Sequence, residues 1–154
     1  MKTYTIIAGV NGAGKSSLTG VLRTEITNLG KIIDVDKIIA KYNGNMIEGG
    51  KKSIELIDDC LDKEICFTQE TTLSGHRVFN TVKKGGHNIP DLDVIRRFEK
   101  RFEDLTMILP YCDEATFYDN ENGFVAVAEY KNGEIMQIGS SRPQWLKELM
   151  EYVI

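Results

Sequence analysis

Four residues near the start of the chain carry the clearest chemistry. Gly9, Gly14, Lys15 and Ser16, within "IIAGVNGAGKSSL", fit the spacing G-x-x-x-x-G-K-[ST]. Glycines at such positions let the backbone fold back and aim its N–H groups inward, where they can cradle phosphate oxygens. A helix opening at about Lys15 adds its positive end to the same point. The stretch Gly9, Val10, Asn11, Gly12, Ala13, Gly14, Lys15, Ser16 and Ser17 therefore reads as a P-loop for ATP. Lys15 would reach the terminal phosphates and the Ser16 hydroxyl would ligate Mg²⁺. The plain structural alternative is a glycine-rich strand-to-helix turn that holds nothing.

Three further groups could act on what that loop holds. Asp34 and Asp36, in "KIIDVDK", stand where a second strand ends. A carboxylate there could accept the proton of a hydroxyl attacking the γ-phosphate; equally, Asp36 could cap the helix that follows. Glu70, Thr71, Thr72 and Ser74, in "QETTLSG", follow a third strand. They suit either a polar substrate or a Mg²⁺-bound water, or simply a capped helix start. Arg96, Arg97, Lys100 and Arg101 follow the turn "GGHNIP". They could neutralise charge spreading onto a transferring phosphoryl group, or form a solvated face. His87 reads as a turn residue.

The elements that must position these groups alternate. "YTIIAG" reads as a buried strand, and Leu18, Val21, Leu22 and Ile26 recur at helical spacing up to Gly30. "KIIDVD" is a second strand, "KIIAKY" a short helix, Ile54, Ile57 and Leu61 mark a third helix, and "EICFTQE" is a third strand. Strand–helix–strand–helix–strand is the pattern of a parallel sheet covered by helices, an α/β class. The alternation then stops. Residues 74–84 suggest a helix. Leu92, Ile95, Phe98, Phe102 and Leu105 suggest a long amphipathic one, with no strand between the two. "ATFYDN", a hairpin of "GFVAVAEY" and "EIMQIG" across Asn132-Gly133, and a closing helix after Pro143 complete the chain.

Bulk properties bound the functions. With 154 residues, 42% of them hydrophobic and 27% charged, the chain reads as a single domain, 1–154, with a real core. A net charge of −4 gives no electrostatic footprint for nucleic acid or an anionic membrane. Cys60, Cys66 and Cys112 are odd in number and form no CxxC pair. They point to a reducing, cytoplasmic setting rather than a disulfide framework or zinc site. The N-terminal apolar run is too short for a signal peptide, and no later run is expected to span a bilayer.

Taken in order, "IIAGVNGAGKSS", "IDVDKIIA", "ICFTQETTLSGH", "GGHNIPDLDVIRRFEKRF" and "LPYCDEATFYDN" resemble the blocks of bacterial zeta-toxin-like kinases and the related small predicted ATPases, over nearly the whole chain. The resemblance implies a P-loop NTPase-type fold with a lid. It also implies transfer of phosphate from ATP to the 3′-hydroxyl of UDP-N-acetylglucosamine, with an antitoxin as a protein partner. By motif, Lys15 and Ser16 match the P-loop pair and Asp36 the aspartate that serves as general base. Glu70 and Thr72 match the segment that faces the sugar nucleotide. One departure stands out: "TVKKGGHNIP" runs straight through where relatives carry a further strand, a helix end and the first part of the lid. About 30 residues, one strand–helix unit, are missing between Lys84 and Gly85. One of the family's two lid arginines falls in that gap. Arg97 or Arg96 stands for the other, with His87 nearly as well placed. The expected architecture is thus a parallel sheet with flanking helices, a C-terminal hairpin and a shortened lid. In it, residues 114–119 and 124–138 close up toward the P-loop strand, or a second copy supplies the missing pairing. The alternative function is a nucleotide-binding remnant with little transferase activity, acting through a protein partner.

Overall fold

A computed structural model describes residues 2–26, 28–72, 95, 96 and 98–153, which fall into two compact units, Met1–Ile95 and Arg96–Ile154. The helix expected over 74–84, the turn at His87, Leu92, Ser74 and Arg97 lie outside the described residues.

The first unit is α/β. Strand β1 (Tyr4–Ala8) leads through the glycine loop into helix α1 (Lys15–Glu25). Strand β2 (Lys31–Asp34) runs without a break into α2 (Val35–Lys41). Helix α3 (Met46–Asp62) then returns the chain to β3 (Phe67–Thr71). The three strands are parallel in the order β1-β3-β2, with Ile7 and Asp34 both in register with Glu70. Parallel strands need helical crossovers, and these bury both faces. Ile7, Leu22 and Leu29 form one apolar layer with Leu18 and Ile32, and Ile33, Cys60 and Phe67 form the other with Ile38, Leu56 and Ile57. The strand β1 was expected to be buried, yet only Ile7 in it is; Tyr4 and Ala8 are exposed. Among the described residues β1 pairs with β3 alone.

The helix marked by Ile54, Ile57 and Leu61 is present as α3, but of the three only Ile57 packs on the core. Ile54 and Leu61 are each 56% exposed, whereas Gly49, Ser53 and Cys60 are buried. Small residues win that face because α2 lies too close for large ones. A Cβ on Gly49 would stand 2.7 Å from the Ile39 Cα. The Ser53 hydroxyl is satisfied inside its own helix, donating to the Gly49 carbonyl at 2.8 Å.

The second unit is built locally. A helix, α4 (Arg101–Ile108), continues as one 3₁₀ turn (Leu109–Tyr111) into strand β4 (Glu114–Asp119). Strands β5 (Val125–Lys131) and β6 (Glu134–Gln137) follow, then helix α5 (Gln144–Val153). Asn132 and Gly133, at φ 53° and 87°, form the tight turn of the expected hairpin. The order is β4-β5-β6, antiparallel throughout. Residues 114–119 and 124–138, for which one expectation was pairing toward the P-loop strand, form a three-stranded sheet of their own. Neighbouring strands joined by short turns close at small entropic cost. Their inward side chains also have a local core, with Val127 and Ala128 against Leu146 and Leu149. The indole N–H of Trp145 donates to Asp119 at 2.8 Å, tying α5 to the end of β4.

Gly30 (φ +61°) stands where the chain enters β2, and a Cβ there would lie 1.8 Å from the Cys66 carbonyl oxygen. Gly20 lies mid-α1 with nothing within 4 Å of its would-be Cβ. Gly30→Ala should lower the urea midpoint of the first unit by an amount equivalent to about 3 kcal/mol. Gly20→Ala should raise it by roughly 0.5–1 kcal/mol. Far-UV circular dichroism across a urea series checks both.

Candidate functional site

The glycine loop is held open by its own backbone. Gly12 and Gly14 take left-handed conformations (φ 81° and 85°), with Gly14 as the residue that starts α1. No side chain caps that helix start, so its first N–H groups face the loop. The Ala13 N–H donates to the Val10 carbonyl at 3.2 Å, and the Gly9 N–H to the Thr71 carbonyl at 3.3 Å, which fastens the loop to the end of β3. Gly9 lies close to the far side of the loop: a Cβ there would meet the Ala13 Cβ at 3.2 Å, tighter than an ordinary contact. Lys15 arches back over the loop and donates to the carbonyls of Gly9 (3.1 Å) and Val10 (3.3 Å). Its ammonium is thereby fixed at the mouth of the loop.

Glu70 joins this loop to the sheet. It sits on the central strand, 5% exposed. One carboxylate oxygen accepts from the Ser16 hydroxyl at 2.8 Å, and the other lies 2.6 Å from the Thr19 hydroxyl. Thr19 is buried one turn into α1, with its hydroxyl also 3.0 Å from the Lys15 carbonyl. Both oxygens of Glu70 are thus engaged by α1. Thr19 escapes sequence reading because its role depends on burial opposite β3; its position three after Ser16 is the only trace.

The two aspartates divide their work. Asp34 ends β2 and caps α2, accepting from the Lys37 N–H at 3.0 Å. Its carboxylate also pairs with the Lys37 ammonium at 3.0 Å. That hydrogen bond, with the attraction of the Asp34 charge, raises the pKa of Lys37 above the ordinary lysine value. Because Asp34 does the capping, Asp36 falls in the first turn of α2 and its side chain is not the cap. Asp36 lines an open cleft of about 450 Å³ together with Lys15, Ser16, Asp34, Lys37 and Glu70. Asn11, Gly12, Gly14 and Ser17 also face it, whereas Gly9, Val10 and Ala13 shape the loop behind. Thr72 follows directly on β3, beside the strand end that holds Gly9.

The basic segment is placed only in part. Arg97 lies outside the described residues. Arg101 stacks between Phe98 and Phe102, 3.7 and 4.1 Å from the ring centres, and pairs with Glu148 at 2.8 Å, so it works within the second unit. Lys100 pairs with Glu103 at 2.7 Å.

Chemically, the cleft offers backbone donors and two ammonium groups toward an anion, with a row of oxygen donors beside them. Ser16, Asp34, Asp36 and Glu70 are hard ligands of the kind Mg²⁺ takes. Among the described residues no three His, Cys, Asp or Glu form a metal cage. A Mg²⁺ carried largely by phosphate oxygens and water does not require one. The chain matches no protein-family model, no curated protein and no solved structure. Among the described residues no helix is long and apolar enough to cross a membrane.

Thr19→Val keeps the shape of the side chain and removes the hydroxyl next to a buried carboxylate. The first unit should lose about 1–3 kcal/mol of stability by urea denaturation, with its circular dichroism spectrum unchanged.

Proposed function

We propose that the cleft binds ATP as its Mg²⁺ complex, and that the chain is a zeta-toxin-like kinase. In this reading it transfers the γ-phosphate to a hydroxyl of a small substrate, a UDP-N-acetyl sugar. The observation that carries the reading is the Lys15 ammonium held over a glycine loop with an uncapped helix start behind it. Positive groups that are already oriented cost no reorganisation when an anion arrives. The α- and β-phosphates would lie on the backbone donors of Asn11 to Ser17, with Lys15 toward the terminal phosphates.

Ser16 and the Glu70 carboxylate behind it suit a Mg²⁺ carried in on the phosphates, which would screen the charge of the transferring group. Glu70, with both oxygens on hydroxyls of α1, orients Ser16. By resemblance Glu70 and Thr72 would face the sugar nucleotide, Glu70 while its oxygens hold the Ser16 and Thr19 hydroxyls. Asp36 lines the cleft in the first turn of α2 without serving as its cap, which leaves its carboxylate for the proton of the attacking hydroxyl. The resemblance implies that an arginine of the basic segment, Arg97 or Arg96, serves the γ-phosphate. A cytoplasmic site of action and control by an antitoxin belong to the same reading.

One observation favours a second reading, in which nucleotide is bound and transfer is slow. Among the described residues the loop-bearing strand β1 pairs with β3 alone, and its other side is the place the missing strand–helix unit would leave open. Loss of an arginine from the γ-phosphate can cost about 10³-fold or more in rate with little change in binding.

Lys15→Ala should abolish ATP binding in calorimetry while the circular dichroism spectrum stays unchanged. Unaltered affinity would remove the basis of the proposal. Asp36→Asn should keep ATP affinity and reduce transfer to UDP-sugars, followed with γ-labelled ATP, by about 10²-fold or more. Wild-type protein that binds ATP but labels no sugar would select the second reading.

A further inference from the structure

The helix α3 turns its small residues inward and leaves a stripe of large ones outside. Ile47, Ile54 and Leu61, seven residues apart, are 51%, 56% and 56% exposed. Seven residues are nearly two helical turns, so the three lie in a line down one face, away from the Gly49 and Ser53 side that packs on α2. Gly50 falls between Ile47 and Ile54 beside this line, whereas Ile57 turns away from it and packs on Ile33, Cys60 and Phe67. A helix 17 residues long, about 25 Å, thus offers a line of three large apolar side chains with no partner among the described residues.

Charge decides which partner fits. Lys51 and Asp58 lie along one flank of the stripe, each four residues after an isoleucine, and neither is engaged in an ion pair within the described residues. Their neighbours are already matched, Lys52 with Glu55 and Asp59 with Lys63. The opposite flank carries Ser53 and Cys60, both buried. In a parallel pair of copies the charged flank of one helix would face that uncharged flank of the other. That uncharged flank is buried in its own chain, so a parallel pair is disfavoured, whereas in an antiparallel pair about a two-fold axis the exposed charged flank of one copy faces that of the other. With the axis beside Ile54, Ile54 packs on Ile54, Ile47 on Leu61, and Lys51 stands opposite Asp58, twice over. Gly50, which has no side chain, lets the two helices approach.

We propose that this face of α3 is a self-association surface that joins two copies of the chain antiparallel, with reciprocal Lys51–Asp58 pairs fixing the register. The proposal is independent of the function of the cleft, since none of these residues lines it. A seam of this length lies at the small end of specific interfaces, so association is reversible and in the micromolar range.

Sedimentation velocity over about 1–500 μM at low ionic strength tests it, with circular dichroism confirming that each variant is folded. The wild-type chain should move from monomer to dimer across that range. Ile54→Asp, at a position already in solvent, should remain monomeric throughout. Lys51→Asp and Asp58→Lys should each weaken dimerisation by about 10-fold or more, because each creates two like-charge contacts. The two substitutions combined should restore it to near the wild-type value, and added salt should weaken both the wild-type and the combined variant. A wild-type chain monomeric over the whole range would overturn the proposal. So would a dimer indifferent to Ile54→Asp, as one paired through β1 would be, or a combined variant no better than its single parents.

Discussion

A carboxylate buried in the middle of a sheet has to be satisfied, and the first unit is arranged around satisfying one. Glu70 occupies the central strand, where an unpaired charge would cost several kcal/mol. Ser16 and Thr19, three residues apart on α1, present their hydroxyls to its two oxygens. The spacing works only if α1 begins at Lys15 and crosses the sheet at one height. The helix start, and with it the end of the glycine loop, is therefore set by the same contact. Backbone bonding between Gly9 and Thr71 fixes the other end of the loop to the same strand. A loop anchored at both ends to β3 presents its donors without having to be ordered by what it binds.

The same economy governs β2 and α2. The strand passes into the helix with no intervening loop, which is possible because Asp34 is both the last strand residue and the helix cap. Holding α2 close to the strand end then requires the next helix to pack tightly behind it, and Gly49 and Ser53 supply that face. The cost appears on the far side of α3, where large apolar side chains are left in solvent. Tight packing at the cleft and an apolar stripe outside are two consequences of one choice of small residues.

Much of this was legible in the chain. The three strands, the glycine loop and the Asn132-Gly133 hairpin each rest on a local rule, so neighbouring residues suffice to find them. The contacts that set the roles of side chains were not local. Whether Asp34 or Asp36 capped α2 depended on a boundary shift of two residues, which propensity does not resolve. That Glu70 would turn toward α1 required knowing that β3 lies between β1 and β2. Which side of α3 is buried was not legible either, because hydrophobicity marks what can be buried, whereas the distance to α2 at Gly49 decides what is.

The placement of the later strands follows from the same distinction between local and distant demands. Pairing β4 with β1 would have joined segments more than 100 residues apart, while β4, β5 and β6 are successive in the chain and need only short turns. Closure entropy grows slowly with length, so distance alone does not forbid the longer pairing. What tips the balance is that Val127 and Ala128 find Leu146 and Leu149 within the same stretch and form a core at once. A sheet that has its own core and its own closing helix gains little by adding to another sheet. The sheet of the first unit draws its stability from the two apolar layers that its helices form on β1, β2 and β3.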